Sequence, residues 1–256
     1  MMTVAELYRA LSEKIPASYS ASFDNDGLSC CPDRTRRVRR VLVALDATEE
    51  NVRAAVRGNY DVLLTHHPMI FSPLRALTEE ETVPRKLLAL VHAGVAAMAF
   101  HTRLDALPGG VNDVLAELFD LTDVTPFGVA GEPLCGRVGN LPQETEAEDF
   151  AALVREKLHT SAVVLAGTGK IRRVAVLGGE GKDDIGAARA AGADLFLSGR
   201  LGYHRMLDAP EDGMCMIEAG HYATEAPVLC RLADWVRELV PEAEVNVTDR
   251  ATLRFI

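Results

Sequence analysis

Residues 38–67, VRRVLVALDATEENVRAAVRGNYDVLLTHH, decide the fold class. Val38–Leu45 is an apolar run of strand length. Thr48 stands as an N-cap in front of a helix over Glu49–Arg57. Tyr60–Thr65 is a second apolar run, and it leads directly into His66-His67-Pro68. Strand, helix and strand at this spacing form a βαβ unit, which implies a parallel pair with the helix on one face. Further on, Val83–Ala93 reads as a helix and Val95–Phe100 as a strand ending at His101. Val111–Leu118 reads as a helix begun after Gly109-Gly110.

The second half repeats the pattern. Arg172–Leu177 and Ala193–Leu197 read as strands with a helix over Asp183–Ala191 between them. Gly213–Glu218 is a further strand leading into His221, followed by a helix over Thr224–Leu239 and a short strand near Val245–Val247. Arg39-Arg40-Val41 precedes Asp61 as Arg172-Arg173-Val174 precedes Asp194, with the same separation, which points to a duplication. The expected architecture is α/β: two similar lobes with mainly parallel sheets and a metal site in the cleft between them. The first lobe takes residues 1–125 plus about 220–256 and carries most of the candidate ligands; the second takes 126–219. The polar, Gly- and Pro-bearing stretch Thr122–Glu148 is the expected crossover.

The chain has 256 residues, 48% hydrophobic and 25% charged, ordinary for a globular protein. No apolar run approaches the roughly 18 residues that span a bilayer. The N-terminus reads as an amphipathic helix capped by Thr3, with Glu6 completing a capping box, rather than a signal peptide. Five cysteines without a C-x-x-C spacing argue against a disulfide framework, and a cytoplasmic location is expected. Cys215 and Cys230 read as small core residues. A net charge of −10 disfavours nucleic acid as a partner. The basic cluster Arg34, Arg36, Arg37, Arg39 and Arg40 reads as the solvated start of a strand.

Four of the seven histidines stand at strand ends: His66, His67, His101 and His221. Two of them open the pattern His-x-x-x-carboxylate, as His101…Asp105 and His221…Glu225. Ligands of open α/β sheets sit outside the carboxyl ends of the parallel strands. Folding the two halves face to face would bring these six side chains together. Imidazole and carboxylate are the ligand set of Zn, Mn, Fe, Co and Ni. Three or four imidazoles and two carboxylates exceed what one tetrahedral ion needs and fit two ions about 3.5–4 Å apart, as in two-metal hydrolases. His92 and His159 read as surface or hydrogen-bonded residues, and His204 in SGRLGYH as structural. Gly179-Glu180-Gly181-Lys182 fails the phosphate-loop template at Val176 and Asp183, leaving only a looser backbone-amide cradle. Ser198, Ser29 and Thr102 have no partner set for a nucleophilic triad.

Five segments carry a resemblance: SFDNDGLSC from Ser22, ALDATEENV from Ala44, DVLLTHHPMIF from Asp61, HTRLDALPGGVNDVLAELF from His101 and EAGHYATEAPVL from Glu218. In these the chain resembles the Nif-three-like dinuclear-metal proteins, the GTP cyclohydrolase I type 2 homologues, in their short form without an inserted domain. The resemblance implies a two-lobed α/β fold and a ring-shaped homohexamer. It implies two divalent metal ions per chain held by His66, His67, Asp105, His221 and Glu225, with Glu225 bridging. His101 would be a ligand or an acid/base group. The chain departs from the family pattern at Phe23 (commonly Trp), Ser29-Cys30-Cys31 (Gln-Val-Gly), Arg103 (Asn) and Arg200 (often Glu). The expected function is a metal-dependent hydrolase acting on a nucleotide-like or phosphorylated small molecule, GTP being the named candidate, with His101 shuttling protons. The alternative is a non-enzymatic hexameric metal-binding scaffold or regulator; a ring threaded by DNA is disfavoured by charge. No residue for recognising a base is identifiable from the sequence.

Overall fold

The computed structural model describes residues 1–248, and the final eight residues of the first expected lobe lie outside that range. The described chain forms two compact units, one made of Met1–Leu104 with residues 229–248, the other of Asp105–Val228. The sequence reading placed these divisions at 125/126 and about 220. The earlier crossing has a local cause. Helix Val111–Leu118 buries Leu115 and Ala116 against the second sheet, so the whole stretch after Leu104 belongs with that sheet. No described helix is long and apolar enough to cross a membrane.

The elements of the first unit are α1 (Val4–Lys14), β1 (Gly27–Cys30), β2 (Arg40–Ala44), α2 (Glu49–Arg57), β3 (Val62–Thr65), α3 (Thr82–Ala93) and β4 (Ala96–Ala99). The chain leaves this unit through α4 (Thr102–Ala106). The second unit continues with α5 (Val111–Leu118), β5 (Thr122–Phe127), β6 (Gly136–Glu146), α6 (Ala147–Lys157), β7 (Val164–Ala166), β8 (Lys170–Glu180), α7 (Ile185–Ala190), β9 (Leu195–Arg200), α8 (Tyr203–Glu211), β10 (Cys215–Glu218) and α9 (His221–Glu225). Helix α10 (Val228–Leu239) and strand β11 (Glu244–Thr248) return to the first unit. The expected single helix from Thr224 is thus two, α9 and α10, parted at Ala226-Pro227, where Ala226 keeps a helical conformation but Pro227 has no amide proton to continue the hydrogen-bond ladder.

Both sheets are mixed. The first has the order β1-β4-β3-β2-β11, parallel except where β1 pairs antiparallel with β4. The second has the order β5-β6-β8-β9-β10-β7, with a parallel core β8-β9-β10 extended by antiparallel β5, β6 and β7. The supposed crossover Thr122–Glu148 therefore holds two strands. They were illegible because Gly136, Gly139 and Pro142 interrupt any apolar run, and β5 is largely exposed.

The parallel cores are buried on both faces, so their strands read as continuous apolar runs rather than alternating ones. In the second unit Val174, Val176, Leu195, Leu197 and Ile217 pack with α5 and α6, and the alternate residues Ala175, Leu177, Phe196 and Met216 pack with α7 and α8. In the first, Leu42, Ala44, Leu63 and Ala97 pack with Val52, Ala55, Leu87 and Leu90 of α2 and α3. The Thr3–Glu6 capping box and the Thr48 cap form as the sequence implies. All five cysteines are free thiols; Cys215 is buried, but Cys230 is exposed, because it lies off the buried stripe Leu229, Leu232, Ala233 and Val236 of α10.

The duplication is visible in matching hydrogen bonds. Asp61 Oδ2 accepts from the amides of Arg39 and Arg40 at 2.7 and 2.9 Å. Asp194 Oδ2 accepts from those of Arg172 and Arg173 at 2.8 and 2.7 Å. The ladders agree: Val41↔Val62↔Ala96 in one sheet, Val174↔Leu195↔Cys215 in the other. Asp61 also receives Arg36 Nε at 2.6 Å, so part of the arginine cluster is structural. Asp61 is buried, whereas Asp194 is exposed. D61A is expected to destabilise the fold by about 1–3 kcal/mol by removing the buried acceptor of three part-buried hydrogen bonds, and D194A by less; denaturant melts of the two variants compare them.

Candidate metal centre

In the first unit three histidines gather at the carboxyl ends of β3 and β4. His66 and His67 follow β3 directly, with their amides bonded to the carbonyls of Ala44 and Leu45. Thr65 Oγ1 donates to the His67 carbonyl at 2.7 Å, which tightens this turn. His101 follows β4 after Phe100, whose amide donates to Thr65 O at 3.1 Å. Ring centroids lie 4.8 Å apart for His66–His67, 5.3 Å for His66–His101 and 5.5 Å for His67–His101. One ring nitrogen from each can be chosen so that all three lie within 4.8 Å of one another.

Each ring has its Nδ1 held by an acceptor that has no proton of its own to give. His66 Nδ1 donates to Phe100 O at 3.0 Å, His67 Nδ1 to Asp46 Oδ1 at 2.8 Å and His101 Nδ1 to Asp24 Oδ1 at 2.9 Å. This fixes the tautomer and leaves Nε2 as the nitrogen each ring presents, for a metal ion or for proton transfer. Metal-ligating histidines are held in this way, their second nitrogen donating to a carboxylate or a backbone carbonyl. The donor set therefore fits a divalent transition-metal ion or zinc.

Asp24 and Asp46 were missed in the sequence. Asp46 was legible in principle, since it closes the β2 run and so stands at a strand's carboxyl end. Asp24 was not, because residues 16–26 have no regular periodicity. Burial of the Asp24 carboxyl favours its neutral form, but hydrogen bonds from His101 and Thr102 and the charge of His101 outweigh this and hold its pKa well below the usual carboxylate range. Asp26 supports the same turn: its Oδ2 accepts from the His101 amide at 3.1 Å and from Arg103 Nε at 2.8 Å. Arg103, one of the departures from the family pattern, is buried, donates also to Ile15 O, and lies over the Phe100 ring at 4.5 Å.

In the second unit the candidate ligands surround Glu225. Its Oε2 lies 3.2 Å from His221 Nε2, one helical turn away on α9. A carboxylate oxygen of Asp105 lies within 4.8 Å of one of Glu225. Asn112 connects this group, donating to Asp105 O at 3.2 Å and accepting from the Gly178 amide at 2.7 Å. The Gly179 amide donates to Thr224 Oγ1 at 3.0 Å. Thus the amides of Gly178 and Gly179, at the end of β8, are committed within the protein, and these two residues back Glu225. Gly179 has φ +70°, and a Cβ there would stand 2.3 Å from Glu225 Oε1.

The two His-x-x-x-carboxylate motifs are not positional equivalents. By the strand ladders Ala99 corresponds to Glu218, so His101 corresponds to Gly220 and His221 to Thr102, one residue out of step. The counterpart of His66 is Gly199. A Cβ at Gly199 would lie 2.5 Å from Gly179 O and 2.7 Å from the Cα of His221, so no histidine fits there. His204 is exposed at the start of α8 with its ring against Tyr203.

The profile of the Duf34/NIF3 (NGG1p interacting factor 3) family matches residues 2–252. The chain belongs to the DUF34/NIF3 family. Among its DUF34/NIF3 relatives is the GTP cyclohydrolase 1 type 2 homolog of Clostridium perfringens, 30% identical over 244 residues, a match covering 93% of this chain and 92% of that protein. The fold is similar to that of a Bacillus cereus protein related to NIF3, with a TM-score of 0.91 and 22% identity, covering 100% of this chain and 99% of that one. It is also similar to Staphylococcus aureus protein SA1388, with a TM-score of 0.88 and 26% identity, covering 100% and 99%.

Two outcomes test this geometry. D46N is expected to lower metal affinity by about 10–100-fold, the usual effect of removing such an outer partner, measured by titration against a competing chelator. G179A is expected to displace the Glu225 carboxylate; wild-type metal affinity in that variant would show that the close approach is unimportant.

Proposed function

We propose that this protein is a dinuclear, divalent-metal-dependent hydrolase acting on a nucleotide-like or phosphorylated small molecule. The observation that carries the reading is the trio His66, His67 and His101, each with Nδ1 anchored and Nε2 presented beside the others. In the proposal His66, His67, Asp105, His221 and Glu225 would hold the ions, Glu225 having two oxygens to share between them, and His101 stands beside them as the acid/base group. Bound divalent cations supply Lewis-acid activation of water and of the scissile group.

His101 then gives or takes a proton at Nε2. Asp24 keeps the Nδ1 proton in place and stabilises the imidazolium, as a buried carboxylate does for a catalytic histidine. The names of the relatives support GTP ring opening as the candidate reaction. The ring-shaped homohexamer and the cytoplasmic location are parts of the same proposal, the first checked by molar mass in solution.

Elemental analysis of the purified chain is expected to give two metals per chain. H67A and E225Q should lose metal and GTP turnover together while staying folded. H101N should keep its metal and lose turnover by about 100-fold or more, the contribution typical of a positioned acid/base group. Unchanged turnover in H67A and E225Q would sink the hydrolase reading. Full metal loading without turnover on any nucleotide would favour a metal-binding scaffold or regulator instead.

A further inference from the structure

Phe71 stands beside the candidate centre without being one of its ligands, and Phe23 lies in the segment tied to it. Phe71 lies edge-on to the His101 ring, centroids 6.2 Å apart and planes at 85°, while 51% of the residue remains exposed. Phe23 is 65% exposed and immediately precedes Asp24, the carboxylate that holds His101. The two segments are tied, because Asn25 Nδ2 donates to Ile70 O at 2.6 Å. Two phenylalanines are thus carried one and two residues away from a bond that joins their segments, and the ring of Phe71 meets that of His101.

A single exposed apolar side chain is ordinary on a protein surface. An exposed aromatic ring held against a histidine of a polar, ligand-bearing cluster is a different arrangement. Its exposed area suits a ligand that is flat and apolar on its faces and polar at its edges. Aromatic pairs prefer offset or edge-on contact at centroid separations of about 4.5–7 Å, and Phe71 already makes such a contact with His101, which holds its ring in place.

We propose that Phe71 is the stacking platform for a planar heteroaromatic ring, a nucleobase, on the substrate. The proposal rests on the hydrolase reading for the presence of a nucleotide and deepens it by assigning the group that recognises the base. Stacking on an aromatic face needs no base-specific hydrogen bond, which is why no recognition motif stands out in the sequence.

The test is calorimetric titration of the metal-loaded, full-length protein with GMP, and with ribose 5-phosphate as the ringless control. Wild type is expected to bind GMP at least about tenfold more tightly than ribose 5-phosphate, and F71A to lose most of that difference, in line with alanine substitution at base-stacking residues. F71W should restore it. F71L, which keeps apolar bulk without a ring, should behave as F71A and guards against a folding defect. Metal content and ribose 5-phosphate affinity should be the same in all four. Equal GMP affinity in wild type and F71A would overturn the proposal, as would a wild type with no preference for GMP over ribose 5-phosphate. A changed molar mass of F71A with GMP binding intact would also overturn it, assigning Phe71 to contact between copies. Ring-dependent binding without GTP turnover would remove the hydrolase reading alone; metal-dependent turnover with no effect of Phe71 on KM or GMP affinity would remove the platform alone.

Discussion

The candidate centre depends on the parallel register of β3 against β4. Thr65 pairs with Ala99, and the next bond of the ladder runs from the Phe100 amide to Thr65 O. That register places the residues following the two strands side by side, and the bond from His66 Nδ1 to Phe100 O continues the same link through a side chain. A slip of one residue would send every side chain to the opposite face. Because β3 and β4 are buried on both faces, such a slip is strongly disfavoured, and the histidines inherit the rigidity of the sheet.

From this constraint the outer partners follow. Asp46 sits at the end of β2, the strand beside β3, and reaches His67. Asp24 and Asp26 arrive from the loop ahead of β1, the strand beside β4, and reach the side chain and amide of His101. Each histidine is oriented by a strand neighbour on its own side. Arg103 closes this arrangement by pairing with Asp26, both groups buried. Removing one member of such a pair strands a charge, which is why a lone Arg103 substitution costs more than a joint one.

The second unit shows how a duplicated framework diverges at its ends. The aspartate at the start of β9 repeats the bonds of its counterpart before β3, and the ladders match residue for residue. Beyond the strands the copies part. Where the first has His66, the second has Gly199, and the backbone of α9 occupies the space a side chain would need. The motif that looks like a second copy of His-x-x-x-carboxylate is displaced by one residue. Similar chemistry has therefore been placed on the repeated scaffold at different positions.

The sequence by itself determined the α/β class, the parallel cores, the helix caps at Thr3 and Thr48, and the placement of histidines at strand ends. These are local matters: apolar runs, capping residues and the rule that ligands gather at carboxyl ends of strands need only neighbours in the chain. Only the tertiary structure decided the antiparallel strands β5, β6 and β7, the division at Leu104, and the roles of Asp24, Asp46 and Asn112. Each depends on partners far away in sequence. Asp24 lies 77 residues from His101, and no periodicity connects them. The amides of Gly178 and Gly179, where a stretch resembling a phosphate loop begins, are engaged by Asn112 and Thr224. A backbone amide serves whichever acceptor the fold brings to it, and that acceptor is not written beside it in the chain.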